Sequence, residues 1–266
     1  MDINVLIVIA AIWLLAASIS DLKKREVPDW LSFSLIAIAL AVKSAQSIIE
    51  WSSSPILTSI VGLAVFFILA NLFYYGRLFA GGDAKLLIAL GAVLPSFALL
   101  SNILVIGSAY GLLYSCLLAI FNKKAFLLEL KKSSKHFRTL SLLFLFAAFF
   151  ILIIGLILKF PLLYFFSAII FIFPFLYLFV NSVEKAALIK KISPNQLTEG
   201  DWLFQDAKAK GKMIKVNFEG LSKNQIAFLK KTRQKVYVKY GIPFIPVFLI
   251  AFLITIAIGN IFMLFL

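Results

Sequence analysis

The sequence predicts an all-α polytopic membrane protein of about eight transmembrane helices, with a small α+β lobe inserted before the last one. Three observations carry that reading. Hydrophobic residues make up 62% of the 266-residue chain, where a soluble domain is nearer about half. Apolar runs of roughly 20 residues, the length that crosses the hydrocarbon of a bilayer, recur along it. The basic residues fall almost entirely in alternate loops, as they do in membrane proteins that keep Lys and Arg on one side. The net charge of +14 would point to nucleic acid in a soluble protein; here basic loops on one membrane face account for it.

The apolar runs cover residues 3–20, 30–49, 55–75, 84–100, 102–121, 139–158, 161–180 and 243–264. No Lys or Arg precedes the first run, so it reads as a retained helix rather than a cleaved signal peptide. The fourth run is short and carries Pro95, so runs four and five can also be read as one re-entrant unit. Eight spans put loops 21–29, 76–83 and 122–138 and segment 181–242 on one side. With Lys85 just inside the fourth helix, that side holds 24 of the 26 basic residues. The positive-inside rule makes it the cytoplasmic side, with both termini outside.

Segment 182–240 is too polar to span. "MIKVNF" (213–218) alternates like a half-exposed strand, and "KVYVKY" (235–240) offers a second one. Ser222 followed three residues later by Gln225 reads as a capping box opening a short helix. The expected organisation is therefore a transmembrane bundle over 1–181, a cytoplasmic α+β lobe over 182–240, and a last helix over 241–266 that completes the bundle.

Two aspartates stand where apolar runs end. "ASISDLKKREVPDW" closes the first run with Asp21, and "FAGGDAKLL" opens the fourth with Asp83. On the expected topology both lie at the cytoplasmic edge of the bilayer. Carboxylates there are costly and usually mark function. Singly, Asp21 could reach into the interface beside Lys24 or Arg25, and Asp83 could cap a helix. The pair fits a further reading. Gly81 and Gly82 remove side chains just before Asp83 and allow another backbone to approach, which a cap does not need. Two carboxylates sharing a proton and a water can hydrolyse an amide, one as base and the other as acid. Helix dipoles favour charge on Asp83, at a helix N-terminus, and the proton on Asp21, at a C-terminus. In "VPDW", Asp29 is placed to cap the second helix and Trp30 to anchor it. Pro243 and Pro246 could leave backbone groups free near the site for an extended substrate.

No metal or cofactor is expected. Cys116 stands alone in an apolar run, and the single histidine, His136, sits in a lysine-rich stretch.

These motifs resemble those of the type IV prepilin peptidases, the GxGD-type membrane aspartic proteases. "SDLKKREVPDWL" with "AGGDAKLL" resembles their two aspartate motifs. "GIPFIPVFLIAF" (241–252) is similar to the Pro-Phe-x-Pro segment opening their last helix. "LTEGDWL" (197–203) resembles the insert of the archaeal members, the preflagellin (archaellin) and prepilin peptidases. The resemblance spans four motifs in order, with two departures. Ala80 stands where a strict GxGD has glycine, and only nine residues (21–29) separate the first two helices, with no cysteine-rich loop. It implies that Asp21 and Asp83 are the catalytic pair, shaped by Gly81 and Gly82, in an enzyme of the plasma membrane with its site facing the cytoplasm. It also implies that the partners are pilin-like or archaellin precursors with class III signal peptides, whose short basic leader is removed. Glu26, Asp29, Glu199, Asp201 and Asp206 are candidates to meet that leader, while anionic membrane lipids would take up much of the positive charge.

Two other classes stay open at the level of sequence. A presenilin- or signal-peptide-peptidase-like protease also pairs membrane aspartates, but with a late Pro-Ala-Leu where this chain has Pro-Phe-Ile-Pro. A proton-coupled transporter would prefer acids at the bilayer midplane and two related halves.

Overall fold

The computed structural model describes residues 3–76, 78–209, 212–217 and 220–264. In chain order the elements are helices α1 (Ile3–Lys24), α2 (Asp29–Ile49), α3 (Ser54–Tyr75), α4 (Gly81–Val93), α5 (Phe97–Phe121), α6 (Lys123–Leu158) and α7 (Pro161–Val183). Strands β1 (Ile189–Ile192), β2 (Trp202–Leu203), β3 (Ala207–Ala209) and β4 (Lys212–Ile214) follow. Helix α8 (Lys223–Thr232), strand β5 (Val236–Lys239) and helix α9 (Ile245–Ile258) complete the series. The chain divides into two compact units, Met1–Leu112 with Ile242–Leu266, and Leu113–Gly241. Helix α5 carries residues of both.

Among the described residues, six helices are long and apolar enough to cross a membrane, within α1, α2, α3, α5, α6 and α7. The chain is thus a polytopic helical membrane protein. The fourth and eighth expected spans take another form: α4 has 13 residues and α9 has 14. A proline and a glycine explain both. Leu94 precedes Pro95, and a residue before proline is driven from helical to extended backbone, so α4 stops at Val93. Helix α9 stops at Gly259, whose φ of +77° glycine adopts without strain.

In the first unit α4 is the core. Leu86, Leu87, Ala89, Leu90, Ala92 and Val93 bury essentially every face of it, as expected of a helix that is apolar all round. Helix α3 packs on it through Gly62 and Gly91, where an added Cβ would collide with Gly91 O and with Phe66 Cβ and Cγ respectively. Ser59 Oγ donates to Ala92 O across the same seam at 2.6 Å. Helix α1 presents a buried stripe of Leu6, Ala10, Leu14, Ala17 and Ser18, and Trp13 Nε1 donates to Ser34 Oγ of α2 at 2.8 Å.

The far end of α9 is held by a buried amide. Asn102 of α5 donates through Nδ2 to Thr255 Oγ1 (2.9 Å) and Gly259 O (2.8 Å). Its Oδ1 accepts the Ile261 amide at 2.9 Å.

In the second unit the basic stretch 122–138, expected as a loop, is instead helical: α6 starts at Lys123 and runs unbroken to Leu158. Lys, Leu and Glu are good helix formers, and no Gly or Pro interrupts them. His136 lies in this helix, with its side chain outside the described residues. Helix α7 begins at Pro161, after the left-handed Lys159 ends α6. The two helices are bonded through Ser167 Oγ to Ala148 O at 2.8 Å.

The polar segment folds as an antiparallel sheet in the order β1-β5-β2 with a separate β3–β4 hairpin. Its core includes Leu203, Ile214, Leu221, Ile226, Leu229, Val236 and Val238. The capping box forms as the sequence predicts: Ser222 N–H donates to Gln225 Oε1 at 2.9 Å, and Gln225 N–H returns to Ser222 Oγ at 3.4 Å. Within "MIKVNF", Met213 and Ile214 are strand, with Ile214 opposite Ala207, residues 215–217 are not, and Phe218 lies outside the described residues.

Candidate active site

Asp21 continues the buried stripe of α1, one helical turn beyond Ala17, and is only 7% exposed. It therefore faces other helices rather than reaching into water. What it meets is the N-terminus of α9. Ile245 N–H donates to Asp21 Oδ2 at 3.0 Å, with the Phe244 amide also directed at the carboxyl. Prolines at 243 and 246 carry no N–H, and the Val247 amide is taken by Phe244 O at 3.0 Å. The donors left at this helix start converge on Asp21. The Pro-Phe-Ile-Pro segment thus holds the aspartate through its backbone.

Asp83 is the third residue of α4 and reaches back so that its Oδ2 accepts the Ala80 amide at 3.0 Å. This satisfies one of the free donors at the helix start. Phe79, buried just before, packs its ring on Phe244 (centroids 5.5 Å apart) and Phe248 (5.7 Å). The loop leading to Asp83 is thereby fixed to the same α9 start that holds Asp21. Gly107 of α5 leaves the space that the Phe244 ring occupies.

The two glycines differ in role. A Cβ on Gly82 would lie 3.2 Å from Val27 Cβ and 3.3 Å from its Cγ2, tighter than ordinary contact, whereas one on Gly81 would meet only Tyr74 Cε2, at 3.9 Å. The backbone that approaches the double glycine is therefore the α1–α2 turn, and it approaches the second glycine. That turn is itself pinned. Arg25 ends α1 in the left-handed region (φ +56°) with its amide on Asp21 O at 2.7 Å, and Ser20 Oγ donates to Glu26 O at 2.9 Å.

Asp29 does not cap α2. It is the first helical residue, after an extended Pro28, and its Oδ1 instead accepts Lys85 Nζ at 2.6 Å.

The charge of Asp21 acts on the Asp83 carboxyl. Asp83 lies outside the six candidate spans. Burial pushes its carboxyl up to about 7; the Ala80 amide pulls the other way, and the Asp21 charge adds to the rise. Desolvation here outweighs the helix dipole that favoured charge on Asp83. At neutral pH such a pair retains a proton, and its titration belongs to both members.

Chemically, the arrangement offers a buried carboxyl fixed by backbone donors, a second carboxyl that holds a proton near pH 7, and a first unit that supplies every residue of both.

Residues 8–122 match the type IV leader peptidase family. The matched stretch contains Asp21, the α1–α2 turn, both glycines and Asp83. A preflagellin peptidase of Methanococcus maripaludis is 33% identical over 92 residues, 34% of this chain and 39% of that protein. One from Methanocaldococcus jannaschii is 38% identical over 90 residues, 34% of this chain and 38% of the relative. The leader-peptidase likeness thus covers less than half of this chain and about two fifths of these curated relatives.

Sequence reasoning missed Phe79, Lys85, Asn102 and the Ile245 amide. For Asp21 the sequence also held a signal of burial: it sits at the helical spacing of Leu14, Ala17 and Ser18, which share the buried face.

Proposed function

We propose that the chain is a membrane-embedded aspartic endopeptidase that removes the short basic leader from archaellin or type IV pilin-like precursors. One observation carries this reading. Two carboxyls, 62 positions apart in sequence, act on each other electrostatically, Asp21 held at the start of α9 and Asp83 in the first turn of α4, and both lie inside the segment that matches the leader peptidases.

In this reading Asp21 and Asp83 are the catalytic residues. Asp21, held by the α9 amides, is the base that takes a proton from the attacking water. Asp83, which retains its proton near neutral pH, donates a hydrogen bond to the scissile carbonyl oxygen. Water adds to the carbonyl carbon, the C–N bond breaks, and the shared proton leaves with the new amine. Gly82 lets the α1–α2 turn sit against Asp83. The enzyme lies in the plasma membrane as a multi-pass protein of about eight membrane segments; residues 84–100 and 243–264 are the fourth and eighth, and Asp83 stands at the edge just ahead of the fourth. Both termini are outside, and the dyad and the polar lobe face the cytoplasm. That orientation rests on the lopsided distribution of Lys and Arg. Its substrates carry class III signal peptides, and anionic lipids surround its basic face.

Co-expression with an archaellin precursor, followed by mass analysis of the precursor's N-terminus, tests the reading. Cleavage at the leader junction that disappears in both D21N and D83N supports it. Cleavage that persists in either variant contradicts it, and proton-coupled flux in its place would indicate a transporter.

A further inference from the structure

The ion pair between Asp29 and Lys85 joins residues 56 positions apart at 2.6 Å. Lys85 is an unusual residue for its place. It lies near the N-terminal end of α4, where the helix dipole disfavours a cation, two residues after an acid that carries the chemistry. A cation that breaks a local rule calls for a compensating partner, and Asp29 is that partner.

The pair has a second contact beside it. Val27, two residues before Asp29, packs on Gly82, one residue before Asp83. The α1–α2 turn therefore grips the start of α4 at two points, Gly82 and Lys85, and Asp83 lies between them. The turn's other end is the C-terminus of α1, where Asp21 sits and where the Arg25 amide and Ser20 hydroxyl fix its path. A single short turn thus connects both aspartates.

We propose that Asp29 and Lys85 are positioning residues for the dyad: their ion pair, with the Val27–Gly82 contact, sets the placement of Asp83 relative to Asp21. The proposal rests on the peptidase reading above. It also removes Asp29 from the acids available to a basic leader, because Lys85 already occupies it. Both side chains keep substantial contact with water, 42% exposed for Lys85 and 62% for Asp29, so the pair adds little to global stability. Its effect is local and geometric, and geometric errors at a catalytic pair are costly in rate.

The test compares D29N, K85Q and the exchanged double variant D29K/K85D in the full-length protein. Three readings are taken: kinetics of precursor cleavage, thermal unfolding, and hydrogen exchange over residues 25–31. Each single variant is expected to lose about tenfold or more in kcat with KM for the basic-leader precursor and the unfolding temperature unchanged, and to exchange faster in the turn. The exchanged pair is expected to recover both kcat and protection. A raised KM with intact kcat would make Asp29 a leader contact and overturn the proposal. So would unchanged exchange in the single variants, or a double variant as impaired as they are. If the unsubstituted chain cleaves no leader, the peptidase reading fails by itself, while the exchange measurements still decide whether the pair holds the turn.

Discussion

The two glycines before Asp83 look equivalent in sequence, and the structure makes them unequal. Replacing Gly by Ala inside a helix ordinarily gains roughly 0.5–1 kcal/mol, because alanine loses less backbone entropy. At Gly81 nothing opposes that gain, since the nearest atom to an added Cβ is Tyr74 Cε2 at 3.9 Å. G81A should therefore be neutral or slightly stabilising. At Gly82 the new methyl would meet Val27 Cβ at 3.2 Å and Cγ2 at 3.3 Å, so the turn must shift by a few tenths of an ångström or more. Overpacking of this kind costs about 1–3 kcal/mol, which more than offsets the helix gain. Because the strain falls on the turn linking Asp21 to Asp83, the rate should suffer more than the stability. We expect G82A to cut kcat for leader cleavage by about tenfold or more, and V27G/G82A to recover part of it by removing both close atoms. The assay is precursor cleavage by purified protein, with thermal unfolding of each variant measured in parallel. If G82A and G81A behave alike in both, the packing argument is wrong.

Three further outcomes follow from the same geometry. Activity should fall as pH rises through about 7, because the dyad then loses the proton that Asp83's raised pKa retains; a rate still rising well above that pH would contradict the assignment, and a pH–kcat profile decides it. N102A should lower stability by about 1–3 kcal/mol by leaving the Thr255, Gly259 and Ile261 groups without their partner, measured by thermal unfolding. G91A should disrupt the α3–α4 seam, since its methyl collides with Phe66 and with Gly62 O; loss of folded yield or of several degrees in unfolding temperature is expected, against little change for G111A, where the space is open.

Much of this was legible in the residues. Long apolar runs and the Ser222–Gln225 box need only local rules, and the helices and the cap follow them. The two aspartate motifs could be picked out because acids at the ends of apolar runs are rare and costly. What sequence could not supply was partnership across the fold. Asp29 reads as a cap until Lys85, 56 residues away, is seen to occupy it. Nothing near Pro243 and Pro246 in the sequence says that the Ile245 amide between them meets Asp21, 224 residues away. The helix dipole argument for Asp83 was sound locally, but burial, which depends on how α2, α3 and α4 pack, outweighs it. Helix lengths were also hard to read: apolarity runs on past Val93 and Ile258, whereas the backbone breaks at Pro95 and Gly259 leave α4 with 13 residues and α9 with 14.

The central claim is that the two carboxyls act on each other, and infrared titration of the aspartate carboxyl band tests it without relying on turnover. In the unsubstituted protein the Asp83 band should titrate near 7. In D21N, with one negative charge removed, its midpoint should move down. A midpoint that does not move between the two proteins would mean that Asp21 and Asp83 do not form a pair.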